Sequence, residues 1–439
     1  MENRPSNPIS VNSKGHLSIG GCDCIELAKQ FGTPLYVMDE NTIRNTCRVY
    51  KSAMDKYYNG KGLVLYASKA FCSTAMCRIA DQEGMGLDVV SGGELYTAIK
   101  AGFPMDRVYF HGNNKTIDEI DYALANNVKR IVADNIEELH NINQIAGRKG
   151  ITAEISVRIK PGIDAHTHDF VRTGQIDSKF GVAIENEEAI EFVRECKRMN
   201  NIRLVGLHCH IGSQIFDLDP FILAASVMMD FISQIKNETG IEIEELNLGG
   251  GYGIKYVPGD DPIEYDHYIE SVSEAVKKIC NEKDLNLPFI LMEPGRSITG
   301  PAGITLYTVG AVKEIKDVRK YVSIDGGMSD NPRYALYQSE YDAFIANRAR
   351  AEKVEKVTIA GKLCESGDII AKDIMMPEIK ANDILAVIAT GAYNYSMSNN
   401  YNRIPRPPVI LIKDKNPRVI VKREDYEDLT RNDIMPEDL

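Results

Sequence analysis

The chain has 439 residues, 51 basic against 63 acidic side chains, and a formal net charge of −12 with histidines neutral. At roughly 150 residues per domain that length predicts two or three domains, although one α/β barrel alone can take about 250. With 44% apolar and 26% charged residues the chain can bury a large core and is neither collagenous nor low in complexity. The acidic balance argues against a nucleic-acid or anionic-membrane binder, which needs a basic surface.

The polar N-terminus has no charged stretch leading into an apolar core, so no secretory signal is expected. No apolar run approaches the ~18 residues of a membrane span. The nine cysteines, an odd number scattered along a long chain, suit a reducing cytoplasm better than a disulfide framework.

The first forty residues are rich in Gly, Asn and Ser and offer at most short extended pieces. Short β-rich runs then alternate with helical patterns. The predicted strands are Leu63–Ala67, Leu87–Val90, Arg107–Phe110, Arg130–Val132, Ile155–Ile159, Leu204–His208, Glu245–Leu248 and Phe289–Met292. Between them, Thr116 with Glu119 reads as a capping box, and Asp134 with Glu137 as a similar one. Asp219-Pro220 starts a helix and Gly102 ends one. Tyr268, Val272, Ala275, Val276 and Ile279 recur at helical spacing. Eight strand–helix repeats predict a closed (β/α)₈ barrel rather than an open doubly wound sheet, because the cluster Gly249-Gly250-Gly251-Tyr252-Gly253 lacks the G-x-G-x-x-G spacing of a dinucleotide fold.

Beyond the eighth strand the texture changes. Thr305–Val312, Tyr321–Ile324, Lys356–Ile359, Asp383–Ala389 and Val409–Val421 are rich in β-branched residues and separated by turns such as Asp325-Gly326-Gly327. They predict a mostly β C-terminal domain. The expected organisation is residues 1–36 joining the β domain, 37–292 as the barrel and 293–439 as the β-rich domain. The charged tail from Lys422 reads as a solvated helix.

In a barrel, reactive groups gather where strands end. Strand one ends in Ser68-Lys69, and strand two in Asp88 followed by Ser91. Strand six ends in His208-Cys209-His210 with Ser213 beyond, strand seven in Gly249–Gly251, and strand eight in Glu293-Pro294-Gly295-Arg296. A lysine at the end of an apolar strand is either snorkelling to the rim or chemically used. The glycine run and the Glu293–Arg296 loop are either tight turns or a phosphate cradle. Lysine, phosphate-type loops and a strand-end carboxylate together suggest pyridoxal phosphate, with the carboxylate keeping the pyridine nitrogen protonated. His208 and His210 face the same way and invite a metal. No third ligand is in view, since neither Cys22-Asp23-Cys24 nor His166-Thr167-His168 has metal-site spacing, and the expectation is no metal. A histidine laid against a cofactor ring is the alternative. Cys364 with Glu365 is either a buried structural cysteine or a proton donor beside a carboxylate. Arg333 with Tyr337, and Tyr393 after Gly391, are either packing or site residues.

Taken together and in order, Tyr66–Ala70, Ser91–Leu95, His208–Gln214, Gly249–Gly253, Glu293–Ser297, Asp325–Met328, Cys364–Asp368 and Gly391–Tyr393 resemble the diaminopimelate decarboxylases, pyridoxal-phosphate enzymes with an alanine-racemase-like fold, over nearly the whole chain. Related ornithine and arginine decarboxylases share several of these motifs, so another basic amino-acid substrate (ornithine, arginine or lysine) is the alternative activity. A non-catalytic homologue would be expected to have lost Lys69 or Cys364. The resemblance implies decarboxylation of meso-2,6-diaminopimelate to L-lysine, the last step of lysine biosynthesis. Lys69 would carry the cofactor as a Schiff base, His210 would stack on the ring and Glu293 would pair with its nitrogen. Ser213, Gly249, Gly250, Gly251, Gly295, Arg296 and Tyr393 would surround the phosphate. Arg296, Arg333, Tyr337 and Tyr393 would contact substrate, Glu365 its distal amino group, and Cys364 would return the proton. It further implies a homodimer with shared active sites, Cys364 and Glu365 coming from the partner. One departure is Tyr334, where the family often has proline.

Overall fold

The computed structural model describes residues 7–163 and 177–439. They form two compact units, one built within 44–254 and 261–297, the other from 7–43, 255–260 and 298–439. The expected boundary at residue 36 falls inside the strand Leu35–Asp39, which belongs to the second unit.

The first unit is a closed parallel barrel. Its strands are β1 (Gly62–Ala67), β2 (Gly86–Val89), β3 (Val108–Phe110), β4 (Arg130–Ala133), β5 (Ala153–Lys160), β6 (Ile202–Cys209), β7 (Glu245–Asn247) and β8 (Phe289–Met292). Each pairs with its neighbours, β8 with β1, and β4 with β5 closes the ring. All eight lie where the apolar runs put them. Their residues are buried almost continuously, as strands covered on both faces must be.

The helix signals hold with one shift. Thr116 Oγ accepts the Glu119 N–H at 3.2 Å and Glu119 accepts the Thr116 N–H at 3.0 Å, capping Ile117–Ala125. The cap expected at Asp134 with Glu137 sits one residue later and forms no box, since the Glu138 carboxylate is bound to Lys115. Asn135 is the cap, accepting the Glu138 N–H at 2.9 Å, because Asp134 is taken by the Gly181 N–H at 2.9 Å. Helix Asp219–Thr239 carries Pro220 in its first turn, where a missing N–H costs nothing. Gly102, at φ +69°, follows the helix Gly92–Lys100. Helix Tyr265–Lys283 buries Tyr268, Val272, Val276 and Ile279, with Ala275 partly covered.

The N-terminal end of the barrel is tied by charge. Arg130, at the start of β4, is buried and forks onto Glu245 of β7 at 3.0 and 2.8 Å, with Glu154 also bound. Removing one partner strands the other charge in the interior. Arg130→Ala is therefore expected to lower unfolding free energy by about 3–5 kcal/mol in urea titrations. A loss under roughly 1 kcal/mol, the value of a solvated pair, would show that water reaches Glu245.

The second unit is mostly β. The 13-residue strand Gly303–Ile315 is its spine. Its first half pairs antiparallel with Leu35–Asp39 and Ile384–Ile388, and its second half with Arg319–Ile324. Glu355–Ala360 and Ile369–Met376 extend the sheet on one side, Val409–Lys413 and Asn416–Val421 on the other. The N-terminal segment contributes a small antiparallel sheet and the helix Cys24–Phe31. Leu17, Ile19, Cys24, Leu27, Leu35 and Val37 pack with Ile304, Leu306, Ile410 and Ile412 in one core. The expected barrel and mostly β domain completed by the N-terminal segment are thus both present. The tail departs from expectation. Only Tyr426–Thr430 is helical, held by an Asp425–Asp428 capping box. Before it Arg423 and Glu424 are half-buried, and the residues beyond Thr430 are exposed.

Candidate active site

In the barrel, the strand ends bring together a buried polar cluster around Glu293. Glu293 follows β8, its N–H bound to the Gly249 carbonyl at 2.8 Å. Oε1 accepts from Asn247 Nδ2 at 2.6 Å and lies 2.8 Å from His111 Nε2, while Oε2 lies 3.3 Å from His208 Nε2. Burial works against its charge, but the facing imidazoles hold the carboxyl well below the usual carboxylate range. A carboxylate only accepts, so the His208 proton sits on Nε2, leaving Nδ1 buried without a hydrogen-bond partner. Burial pushes His208 down to about 4, so this ring is neutral near pH 7. Asp88, at the end of β2, lies 3.8 Å from His111 Nε2, and burial pushes its carboxyl up to about 6, with the Glu293 charge adding to the rise.

Lys69 lies in a single turn of 3₁₀ helix, Ser68–Ala70, directly after β1. Its neighbours are buried while Lys69 itself is exposed. The turn is fixed by Ser68 Oγ donating to Glu94 at 2.8 Å and Tyr66 OH donating to the Phe71 carbonyl at 2.9 Å. The Lys69 charge favours the ionised forms of Asp88 and Glu94. His210 follows β6. Burial first, then the charges of Lys69 and Arg158, hold its ring well below the ordinary histidine value, so it is neutral.

The glycines permit close backbone approach. A Cβ on Gly250 would lie 2.2 Å from the Glu293 carbonyl oxygen, and one on Gly251 would lie 2.4 Å from that of Gly212. Gly249, at φ +69°, donates its N–H to Asn247 Oδ1 at 2.9 Å. A Cβ on Gly295 would meet that of Ala67 at 2.9 Å. Arg296 Nη2 donates to Ser213 Oγ at 2.9 Å, bringing two of the expected phosphate-loop residues together. The barrel thus joins Lys69, His210, Ser213, Gly249–Gly251, Glu293, Gly295 and Arg296 in one unit. A buried, ionised Glu293 and loops stripped of side chains fit a flat, protonated heteroaromatic ring bearing a phosphate.

Among the described residues His111, His208 and Glu293 also place three possible ligand atoms within 4.8 Å of one another. This is a different trio from the His208–His210 pair suggested by spacing. His166 and His168 lie outside the described residues. Sequence reasoning missed His111, Asn247 and Arg158. His111 directly follows β3, and Arg158 lies near the end of β5, 4.1 Å from the Phe180 ring centroid. The strand-end rule that found Lys69 would have found both.

The second unit holds the other expected residues. Arg333 opens the short helix Arg333–Tyr337 and is buried. Its guanidinium carbon lies 5.9, 5.4 and 5.6 Å from the ring centroids of Tyr256, Tyr337 and Tyr393, an aromatic enclosure that favours a cation. Tyr334 sits in the first turn of that helix, where backbone N–H groups have no helical partner, so tyrosine and proline are both tolerated there. Cys364 and Glu365 sit on an exposed turn, so the alternative of a buried structural cysteine does not hold. All nine cysteines are free, and no helix among the described residues is long and apolar enough to cross a membrane.

Comparison with known proteins identifies the family. Residues 40–300 match the model of the pyridoxal-dependent decarboxylase, pyridoxal binding domain. The chain is 48% identical over 423 residues to the diaminopimelate decarboxylase of Bacillus subtilis, covering 96% of each. It is 49% identical over 414 residues to that of Bacillus methanolicus, covering 94% of this chain and 96% of the relative. The crystal structure of diaminopimelate decarboxylase from M. jannaschii in co-complex with L-lysine superposes with a TM-score of 0.91 at 38% identity, covering 100% of both chains. With this site and these relatives, the chain belongs to the diaminopimelate decarboxylase family of pyridoxal-dependent decarboxylases.

Proposed function

We propose that this chain, with pyridoxal 5′-phosphate bound in the barrel, converts meso-2,6-diaminopimelate to L-lysine and carbon dioxide, the last step of lysine biosynthesis. The observation that carries the reading is Glu293, buried and held ionised at the end of β8 in the same strand-end cluster as Asp88 and His208. When bound, the cofactor supplies an electron sink for the pair left as carbon dioxide departs, and that sink is deep only while the ring nitrogen stays protonated. Glu293 holds that proton in place. His111, His208 and Asn247 keep its carboxylate aimed and charged, and the neutral His210 offers a flat face to the ring. Lys69 would hold the cofactor covalently through its amine. Ser213, Gly249–Gly251, Gly295, Arg296 and Tyr393 take the phosphate.

The substrate differs from ornithine in carrying a second carboxylate at its far end. Arg296, Arg333, Tyr337 and Tyr393 serve that end, Glu365 takes the distal amino group, and the Cys364 thiol delivers a proton to the α-carbon. Cys364 and Glu365 act in the site of a partner subunit, making the active unit a homodimer. A cytoplasmic enzyme accounts for nine free cysteines. Carbon dioxide release measured across diaminopimelate, ornithine, arginine and lysine tests the substrate. Faster release from ornithine than from diaminopimelate would overturn it.

A selectivity prediction follows from the distal end. Arg333→Ala or Glu365→Ala should lower kcat/KM for diaminopimelate by about 30- to 100-fold, roughly 2–3 kcal/mol, since each leaves a buried substrate charge unpaired. Turnover of an amine lacking the distal carboxylate should suffer less from Arg333→Ala. Equal losses on both substrates would assign Arg333 to folding.

A further inference from the structure

The turn carrying Cys364 and Glu365 and the segment leading to Arg333 are distant in sequence, yet one buried carboxylate binds both. Asp368 is 3% exposed. Its Oδ1 accepts the Met328 N–H at 2.6 Å and its Oδ2 accepts the Leu363 N–H at 2.8 Å. Backbone bonds flank this clip, from Lys362 N–H to the Gly326 carbonyl at 3.0 Å and from Gly361 N–H to the Asp368 carbonyl at 2.9 Å. The carboxylate fits because two neighbours lack side chains. A Cβ on Gly361 would lie 2.1 Å from Oδ2, and one on Gly327 would lie 2.6 Å from Oδ1. The substrate roles leave both glycines unused.

Each end of the clip leads to a site residue. On one side Leu363 and Asp368 are buried feet with Cys364–Gly367 exposed between them, so the feet set where the thiol and the Glu365 carboxylate stand. On the other side Met328 is followed by Asp330, which accepts the Gly327 N–H at 2.9 Å and the Tyr307 OH at 2.5 Å, and the Arg333 helix begins three residues later.

We propose that Asp368 is a positioning residue that holds the Cys364–Glu365 turn in register with the segment carrying Arg333. The inference rests on the roles given to Cys364, Glu365 and Arg333 above. If the first two act in the partner's site and Arg333 in its own, the clip also ties the two active sites of a dimer to each other. A shift of about 1 Å in a reacting group is enough to cost up to roughly a hundredfold in rate.

The test compares holoenzyme carrying Asp368→Asn or Gly361→Ala with the unsubstituted enzyme. Asp368→Asn replaces one acceptor oxygen by an amide N–H₂, which would face one of the two backbone donors, while Gly361→Ala displaces the carboxylate without removing it. Both variants should lower kcat roughly ten- to a hundredfold well below their melting temperatures. Both should also raise the solvent deuterium isotope effect on kcat, speed amide exchange at Met328 and Leu363, and change the rate at which iodoacetamide labels Cys364 at least threefold. Faster exchange with kcat, isotope effect and labelling all at wild-type values would leave Asp368 merely structural and overturn the proposal. Cys364→Ala separates the underlying reading, since full activity in that variant removes Cys364 from the chemistry, whereas an inactive Cys364→Ala beside a fully active Asp368→Asn removes only the clip. If both clip variants fail to fold, exchange in the unsubstituted holoenzyme decides. Met328 and Leu363 amides among the slowest in 325–334 and 361–368 support the clip, and exchange of either as fast as the Ser366 amide overturns it.

Discussion

Lys69→Ala should lose turnover by at least roughly 10⁴-fold, the scale on which enzymes lose rate when a covalent catalytic residue is deleted. The fold should survive, because the Lys69 side chain is exposed while the turn around it is held by Ser68, Tyr66 and Glu94. Stability within about 0.5 kcal/mol of wild type is expected for such a surface change. Cofactor should still bind through the glycine loops, so the distinguishing readout is covalent. Borohydride treatment of the unsubstituted holoenzyme should bleach its visible band and leave the label on the Lys69 peptide, and the variant should release all its cofactor on denaturation. Decarboxylation by the variant near the wild-type rate, or a label on another lysine, would show that Lys69 is misassigned.

Why Lys69 was legible in the sequence while its neighbours were not is a matter of context. The barrel strands are apolar runs covered on both faces, and periodicity records burial directly. Where one is followed by lysine, glycines or Glu-Pro-Gly-Arg, the chemistry stands out. His111 is marked only by its place directly after β3, and Asn247 carries no such flag. Neither reads as a partner of Glu293 until folding brings both to it. In the β unit, Val409–Val421 reads as one strand because its turn contains no glycine. The chain reverses at Asp414 and Lys415, both in left-handed conformation at φ 51° and 63°. Ile369–Met376 was missed because Lys372 and Asp373 interrupt the apolar pattern in the middle of an edge strand, where Asp373 itself takes φ 54°. Edge strands face solvent and tolerate charge, so their periodicity is weak. Leu35–Asp39, five buried residues, was hidden by its position in a segment otherwise rich in turns.

The electrostatics of the cluster likewise come from folding. Side chains at the ends of β3, β6 and β7 converge on a carboxylate after β8. Asp88's own burial, with the Glu293 charge, moves it up to about 6, while the imidazoles keep Glu293 ionised. Two carboxyls of similar intrinsic acidity are thus pushed apart by environment, and Glu293 is the one that the facing imidazoles hold firmly ionised.

Mixing two inactive variants, Lys69→Ala and Cys364→Ala, should restore activity under conditions that allow subunit exchange. Lys69 lies in the barrel unit and Cys364 on an exposed turn of the β unit, so each loss leaves the other unit's contribution intact. A two-fold dimer with composite sites contains two of them, each built from both chains. Random pairing makes about half the dimers mixed, and every mixed dimer has one site with both residues and one with neither. Activity should therefore climb to roughly a quarter of wild type from two nearly dead parents. The quarter is diagnostic in amount as well as sign, because contamination by wild type would not depend on exchange. It should also vanish when the parents are mixed without exchange. If exchange is demonstrated by mass-tagged subunits and activity stays at the level of the parents, Lys69 and Cys364 serve one site from one chain. Shared sites would then be abandoned, while the decarboxylase chemistry, which depends on Lys69 and Glu293 within a single barrel, would stand.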